Sequence, residues 1–127
     1  MKQELFQKII DRESAENILE ITGRFVEQLS PERVYLFGSF ATGDYQNDSD
    51  FDFYIVMPDG ENVGSATDRA YKSIRYVQKR PVDIVIGTRS RFDRIGPSRD
   101  SLLVEGEVYR NGVLLYQRSG TDGRTAT

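Results

Sequence analysis

The sequence contains no cysteine and no histidine. The first absence excludes disulfides, thiolate nucleophiles, zinc ribbons and iron–sulfur clusters. The second removes the usual general base, the Ser-His-Asp triad and imidazole metal ligands. There is no surplus of positive charge either. Seventeen Lys and Arg against twenty Asp and Glu leave a net charge of −3, which argues against indiscriminate nucleic-acid binding. A nucleotide held through metal ions is compatible with that balance. No apolar run approaches the roughly 18 residues needed to cross a membrane. The N-terminal MKQELFQKIIDRE carries charges through its apolar stretch and has no signal-peptide core. A cytoplasmic protein without a membrane partner is expected. Any catalysis must come from carboxylates, lysine, tyrosine, backbone amides or a metal bound by oxygen.

What is present fits one domain: 127 residues with 38% hydrophobic and 29% charged side chains. We place the domain at 1–117 and expect a disordered tail over 118–127. Leu5, Phe6, Ile9 and Ile10 make a short helical stripe, and Ile18, Leu19, Phe25, Val26 and Leu29 a second. Ser30-Pro31 ends it. Val34–Phe37 reads as a strand and residues 38–50 as a loop with at most one helical turn. Asp50 to Met57 reads as a strand buried on both faces. Val63, Ala66, Ala70, Ile74 and Val77 define a helix with a narrow apolar stripe. Arg69, Lys72, Arg75, Lys79 and Arg80 lie off that stripe and read as a solvated face. Val82–Ile86 is a third strand.

The segment from Ser98 to Tyr116 has two readings. Asn111-Gly112 suits a hairpin turn, or the left-handed cap of a helix running from about Ser98 into a short strand at Val113. Glu105-Gly106-Glu107 is poor strand material, and Leu102-Leu103 looks like an apolar anchor, which favours the helix. The expected fold is α/β (α+β): a small mixed sheet flanked by helices. The alternating residues from Val113 to Tyr116 suit an edge strand that could pair in a homodimer.

Three acids stand out. Asp50 and Asp52 alternate onto one face of their strand, about 7 Å apart. Such a pair repels and is costly to bury, and a divalent cation relieves both problems. Asp83 lies mid-strand and can join that face if the two strands are neighbours. Three carboxylates there suit two Mg²⁺ ions and in-line phosphoryl transfer. Ten residues before Asp50, Gly38-Ser39 ends the first strand. Glycine permits close backbone approach, so exposed amides and the Ser39 hydroxyl could hold phosphate oxygens. Each piece alone has a plainer reading: a common turn, a capped strand start, an acid on an edge strand. Together they sit on the elements the chemistry needs.

Gly38-Ser39, the ten-residue spacer and Asp50-x-Asp52 resemble the GSx10DxD signature of the polymerase-β-like nucleotidyltransferases. The run LFGSFATGDYQNDSDFDFYIVM is similar to the minimal nucleotidyltransferases, with Ala41, Gly43 and Ser49 also in place. Thr42 departs from the pattern, which has a basic residue there. The tail EGEVYRNGVLLYQ resembles the closing helix and strand of that group, and the likeness runs over residues 14–117. The resemblance implies a polymerase-β palm-like fold and transfer of a nucleoside monophosphate, AMP from ATP, to an acceptor hydroxyl. Asp50 and Asp52 would hold both Mg²⁺ ions, Asp83 the one beside the acceptor, and Gly38 and Ser39 the β and γ phosphates. It further implies a helical partner of the HEPN type in an antitoxin-like pair, with a tyrosine of the partner as acceptor. Two other readings stand beside it: transfer to a small molecule such as an aminoglycoside, and a nucleotide-binding module without turnover.

Overall fold

In a computed structural model of the chain, residues 10–99 and 101–120 are described. Helix α1 (Arg12–Leu29) starts at Asp11, whose side chain accepts from the Ser14 amide, and it buries Ile18, Ile21, Phe25 and Leu29. It closes at Ser30, where φ is 52° and the amide donates to the Val26 carbonyl. Pro31 follows and cannot continue the helical ladder. The expected stripe at Leu5, Phe6 and Ile9 lies outside the described residues, whereas Ile10 is buried.

The chain continues as β1 (Arg33–Phe37), the single turn α2 (Ser39–Thr42), β2 (Phe51–Met57), α3 (Val63–Ile74), β3 (Val82–Thr88), α4 (Arg89–Ile95), α5 (Val104–Asn111) and β4 (Val113–Gln117). The strands form one mixed sheet in the order β3-β2-β1-β4. β1 is antiparallel to both of its neighbours. β2 and β3 are parallel, and α3 supplies the crossover that parallel neighbours require. The expected small mixed sheet flanked by helices is what forms.

Side-chain alternation gives each strand two faces. Val34, Leu36, Phe51, Phe53, Ile55, Met57, Ile84 and Ile86 pack with α1 and α3 in the larger core. Phe37, Tyr54 and Val56 face the other way and pack under Phe92 of α4 and Val108 of α5. Strand β2 is therefore buried on both sides, as its unbroken apolar run requires. Under α5, the Tyr54 hydroxyl donates to Glu105 Oε2 at 2.7 Å, and Arg91 Nε donates to the same oxygen at 2.9 Å. Burial pushes the Glu105 carboxyl up, but these two bonds, with a backbone hydrogen bond and the Arg91 charge, outweigh it and hold the group below its ordinary range.

The C-terminal third differs from the sequence reading. Helix α4 falls on residues left without an element, and α5 begins at Val104 rather than near Ser98. Gly96-Pro97 interrupts the two helices. Leu102 is no anchor, being 99% exposed. The hairpin does not form, because β4 pairs with β1 instead. Gly112 is not a left-handed cap: its φ is −74° and ψ 157°. It is needed for room, since a Cβ there would lie 2.5 Å from the Val108 carbonyl oxygen. The α3 stripe stops at Ile74, and Val77 sits in the turn after it. Beyond β4, the Arg118 amide donates to the Glu32 carbonyl at 2.8 Å. The rest of the expected tail, residues 121–127, lies outside the described residues.

Candidate active site

The site grows from the ends of three strands. β1 ends at Phe37, which is the antiparallel partner of Asp52. Asp52 is in turn the parallel partner of Asp83. Pairing in register puts the two aspartates side by side on one face, the face that also carries Tyr54 and Val56. Asp50 stands one residue before β2 rather than inside it. The Asp50 and Asp52 carboxylates are half-buried, and Asp83 is exposed on the edge strand.

Gly38 forms the turn above Asp52. Its φ of 75° and ψ of −156° suit glycine. A Cβ at this position would collide with the Asp52 carboxylate. The backbone therefore lies directly against the acid, an approach no other residue permits. Ser39 then opens the single turn α2, whose first amides have no partners within a helix. Phe40 anchors that turn in the core by stacking on Tyr45, with ring centroids 4.2 Å apart.

Asp52 stands at the centre of the group. Burial pushes its carboxyl up to about 6, and the charges of Asp83, Asp50 and Glu107 add to the push. Glu107 is the member that the sequence did not disclose. It lies half-buried on α5 and reaches the group only through the docking of that helix on β1. A pattern search along the chain has no handle on it.

Among the described residues, none of the four acids has an ion-pair partner. Nor does any group of three acids there converge tightly enough to enclose an ion. The structure thus brings Asp52 and Asp83 into register and Asp50 and Glu107 within reach, as four uncompensated acids. The adjacent Asp52 and Asp83 carboxylates are an all-oxygen pair that would suit a hard divalent cation such as Mg²⁺, which leaves several of its positions to water and substrate. A cavity of about 350 Å³ opens on the Phe51 side of β2, lined by residues that include Asn17, Ser49, Lys79 and Arg80, and by none of these four acids. The basic face of α3 is a solvated one: Arg69 pairs with Glu61, and Lys72 with Asp68.

The sheet is mixed, and it carries an acid pair in register beneath a glycine turn. The sequence pattern of the nucleotidyltransferase domain matches residues 16–109, and the chain belongs to that family. The fold is similar to that of a Sulfolobus solfataricus protein assigned as a nucleotidyltransferase, at 24% identity and a TM-score of 0.50, covering 86% of this chain and 91% of that one. It is also similar to a chain of a toxin–antitoxin structure with AMP-PNP, at 17% identity and a TM-score of 0.52, covering 83% and 77%. At these identities the likeness concerns the fold. No curated protein matches the chain.

Proposed function

We propose that the protein transfers AMP from ATP to a hydroxyl group on a partner protein, with Asp50, Asp52 and Asp83 as the reacting acids. The observation that carries this reading is the register of Asp52 and Asp83 beneath Gly38, four acids deep in uncompensated negative charge. Charge of that kind is stabilised by cations, and a triphosphate brings its cations with it. Asp50 and Asp52 would hold two Mg²⁺ ions and Asp83 the one beside the acceptor. When bound, the ions offset the triphosphate charge and lower the pKa of the acceptor hydroxyl.

The chain's own groups supply the rest. Gly38 and the first amides of α2 face the β and γ phosphates, with the Ser39 hydroxyl as an added donor. The acceptor oxygen attacks the α-phosphorus, forming one O–P bond. The bond from that phosphorus to the bridging oxygen breaks, and pyrophosphate leaves. Asp83, exposed at the sheet edge, takes the acceptor's proton. The fold's likeness to a chain of a toxin–antitoxin structure with AMP-PNP supports a nucleotide substrate and a partner protein; the tyrosine acceptor on a helical partner of the HEPN type is what the sequence resemblance implies.

The test is incubation with α-labelled ATP, Mg²⁺ and the product of the adjacent gene, followed by mass analysis. Label is expected on a tyrosine of that product, and chelation abolishes it. Equal ATP affinity with and without Mg²⁺, in wild type and Asp52→Asn alike, would sink the reading. Label on small molecules only would redirect the acceptor.

A further inference from the structure

We propose that Arg80 is the positioning residue of the transfer site: one guanidinium clamps the three segments that carry its reacting groups. This rests on the reading of Asp50, Asp52 and Asp83 as that site. Arg80 Nη1 donates to the Asn47 carbonyl at 2.7 Å and to the Ser49 carbonyl at 3.1 Å. Both belong to the spacer loop, and Ser49 immediately precedes Asp50. The guanidinium carbon lies 5.0 Å from the Phe40 ring centroid and 5.8 Å from that of Phe51. Phe40 follows Ser39 in α2, and Phe51 separates Asp50 from Asp52. The two rings meet edge to face, with centroids 4.9 Å apart.

The chain around Arg80 completes the clamp. The Gln78 side chain donates to the Arg80 carbonyl at 2.8 Å. The Phe51 amide donates to the Pro81 carbonyl at 3.1 Å, which sets the start of β2 against the start of β3. Asp83 lies three residues beyond Arg80. The phosphate-side turn, the first acid pair and the third acid are thereby referred to a single side chain. None of the acids touches it, so its role is indirect.

The residue type follows from the geometry. A planar fork can donate to two carbonyls in its plane while its faces rest on aromatic rings. Both hydrogen bonds leave the one nitrogen Nη1, so an ammonium could donate to both carbonyls, but it has no planar face to lay over Phe40 and Phe51. From Asp44 to Asp50 the spacer has no helix or strand; a turn closed by the Gln46 amide on Ser49 Oγ and the Ser49 amide on the Gln46 carbonyl shapes it, and Arg80 ties that turn to Phe40, Phe51 and the start of β3. Four mutually repelling acids need such an external hold, since their own charges drive them apart.

The test uses the full chain with Arg80→Gln and Arg80→Lys. Amide exchange without nucleotide is expected to rise at residues 47–51 in Arg80→Gln, with a melting temperature within a few degrees of wild type. Transfer kcat should fall about 10²-fold, as a misplacement of roughly 1 Å can cost, while KM for ATP moves far less. Arg80→Lys should recover part of kcat but not all. Wild-type exchange and kcat in Arg80→Gln would overturn the inference. So would full rescue by lysine, or global unfolding of both variants. The exchange arm decides whether Arg80 holds the spacer against Phe40 and Phe51 even if wild type binds no Mg·ATP, a result that would sink the reading of the site and leave the clamp itself standing.

Discussion

At Asp52, burial and three neighbouring acids act in the same direction, and the consequence can be measured. Its carboxyl sits near 6 in the folded chain, against 3.8 for the unperturbed group. The folded state therefore holds this proton at a pH where the unfolded chain has lost it. The stability it contributes is present below about pH 4 and is lost as pH rises through about 6. The side chain is partly solvated, so screening reduces the effect to about 1 kcal/mol, a few degrees of melting temperature. Metal-free Asp52→Asn should accordingly melt higher than wild type at pH 7.5, and the gap should close near pH 4. Saturating Mg²⁺ should also close it, by stabilising wild type. A variant that melts lower at pH 7.5 would make Asp52 a structural acid. This residue was legible in the sequence because its chemistry lies in residue type and spacing: Gly38, Asp50, Asp52 and Asp83 need no tertiary information to be suspected. Arg80 and Glu107 were not. The first read as part of a solvated helix face and the second as poor strand material, and their contacts arise only when distant segments close.

Among the elements, long and periodic ones were readable and short ones were not. The 18 residues of α1 and the stripe of α3 carry enough turns for the pattern to stand out. Helix α4 has seven residues and buries only Phe92 and Ile95, too little for a period to show. Its place is set instead by what it covers. The Arg91–Glu105–Tyr54 bonds join α4, α5 and β2 through one carboxylate oxygen, while Glu105 Oε1 has no hydrogen-bond partner among the described residues. Tyr54→Phe removes a donor from a buried, charged acid and should cost about 1–3 kcal/mol. The sign of its pH dependence is opposite to that of Asp52. Glu105 is held below its ordinary range, so its contribution is present above the unfolded value of about 4.5 and lost as pH falls. The melting temperatures of wild type and Tyr54→Phe should therefore differ at pH 7 and converge in acid. Equal melting at pH 7 would mean that packing of Phe92 and Val108 alone fixes the two helices.

For the molecule as a whole, the sheet order decides how the acids divide their labour. β2 is an inner strand and β3 an edge strand. Asp52 is flanked by Phe37 on one side and Asp83 on the other, and lies under the Gly38 backbone. It can reach whatever the turn holds, which in our reading is the triphosphate. Asp83 has solvent on its outer side, where a large acceptor can approach in line with the leaving pyrophosphate. Asp83→Ala should therefore keep most of the Mg·ATP affinity measured by calorimetry. It should lose transfer by about 10²-fold or more, because the nucleophile is no longer held or deprotonated in place. Asp52→Ala should lose both binding and transfer. The difference tests the architecture rather than the charge count, since each variant removes one carboxylate. If Asp83→Ala loses ATP binding as fully as Asp52→Ala, the edge acid belongs to the triphosphate, and the acceptor must enter from another side of the sheet.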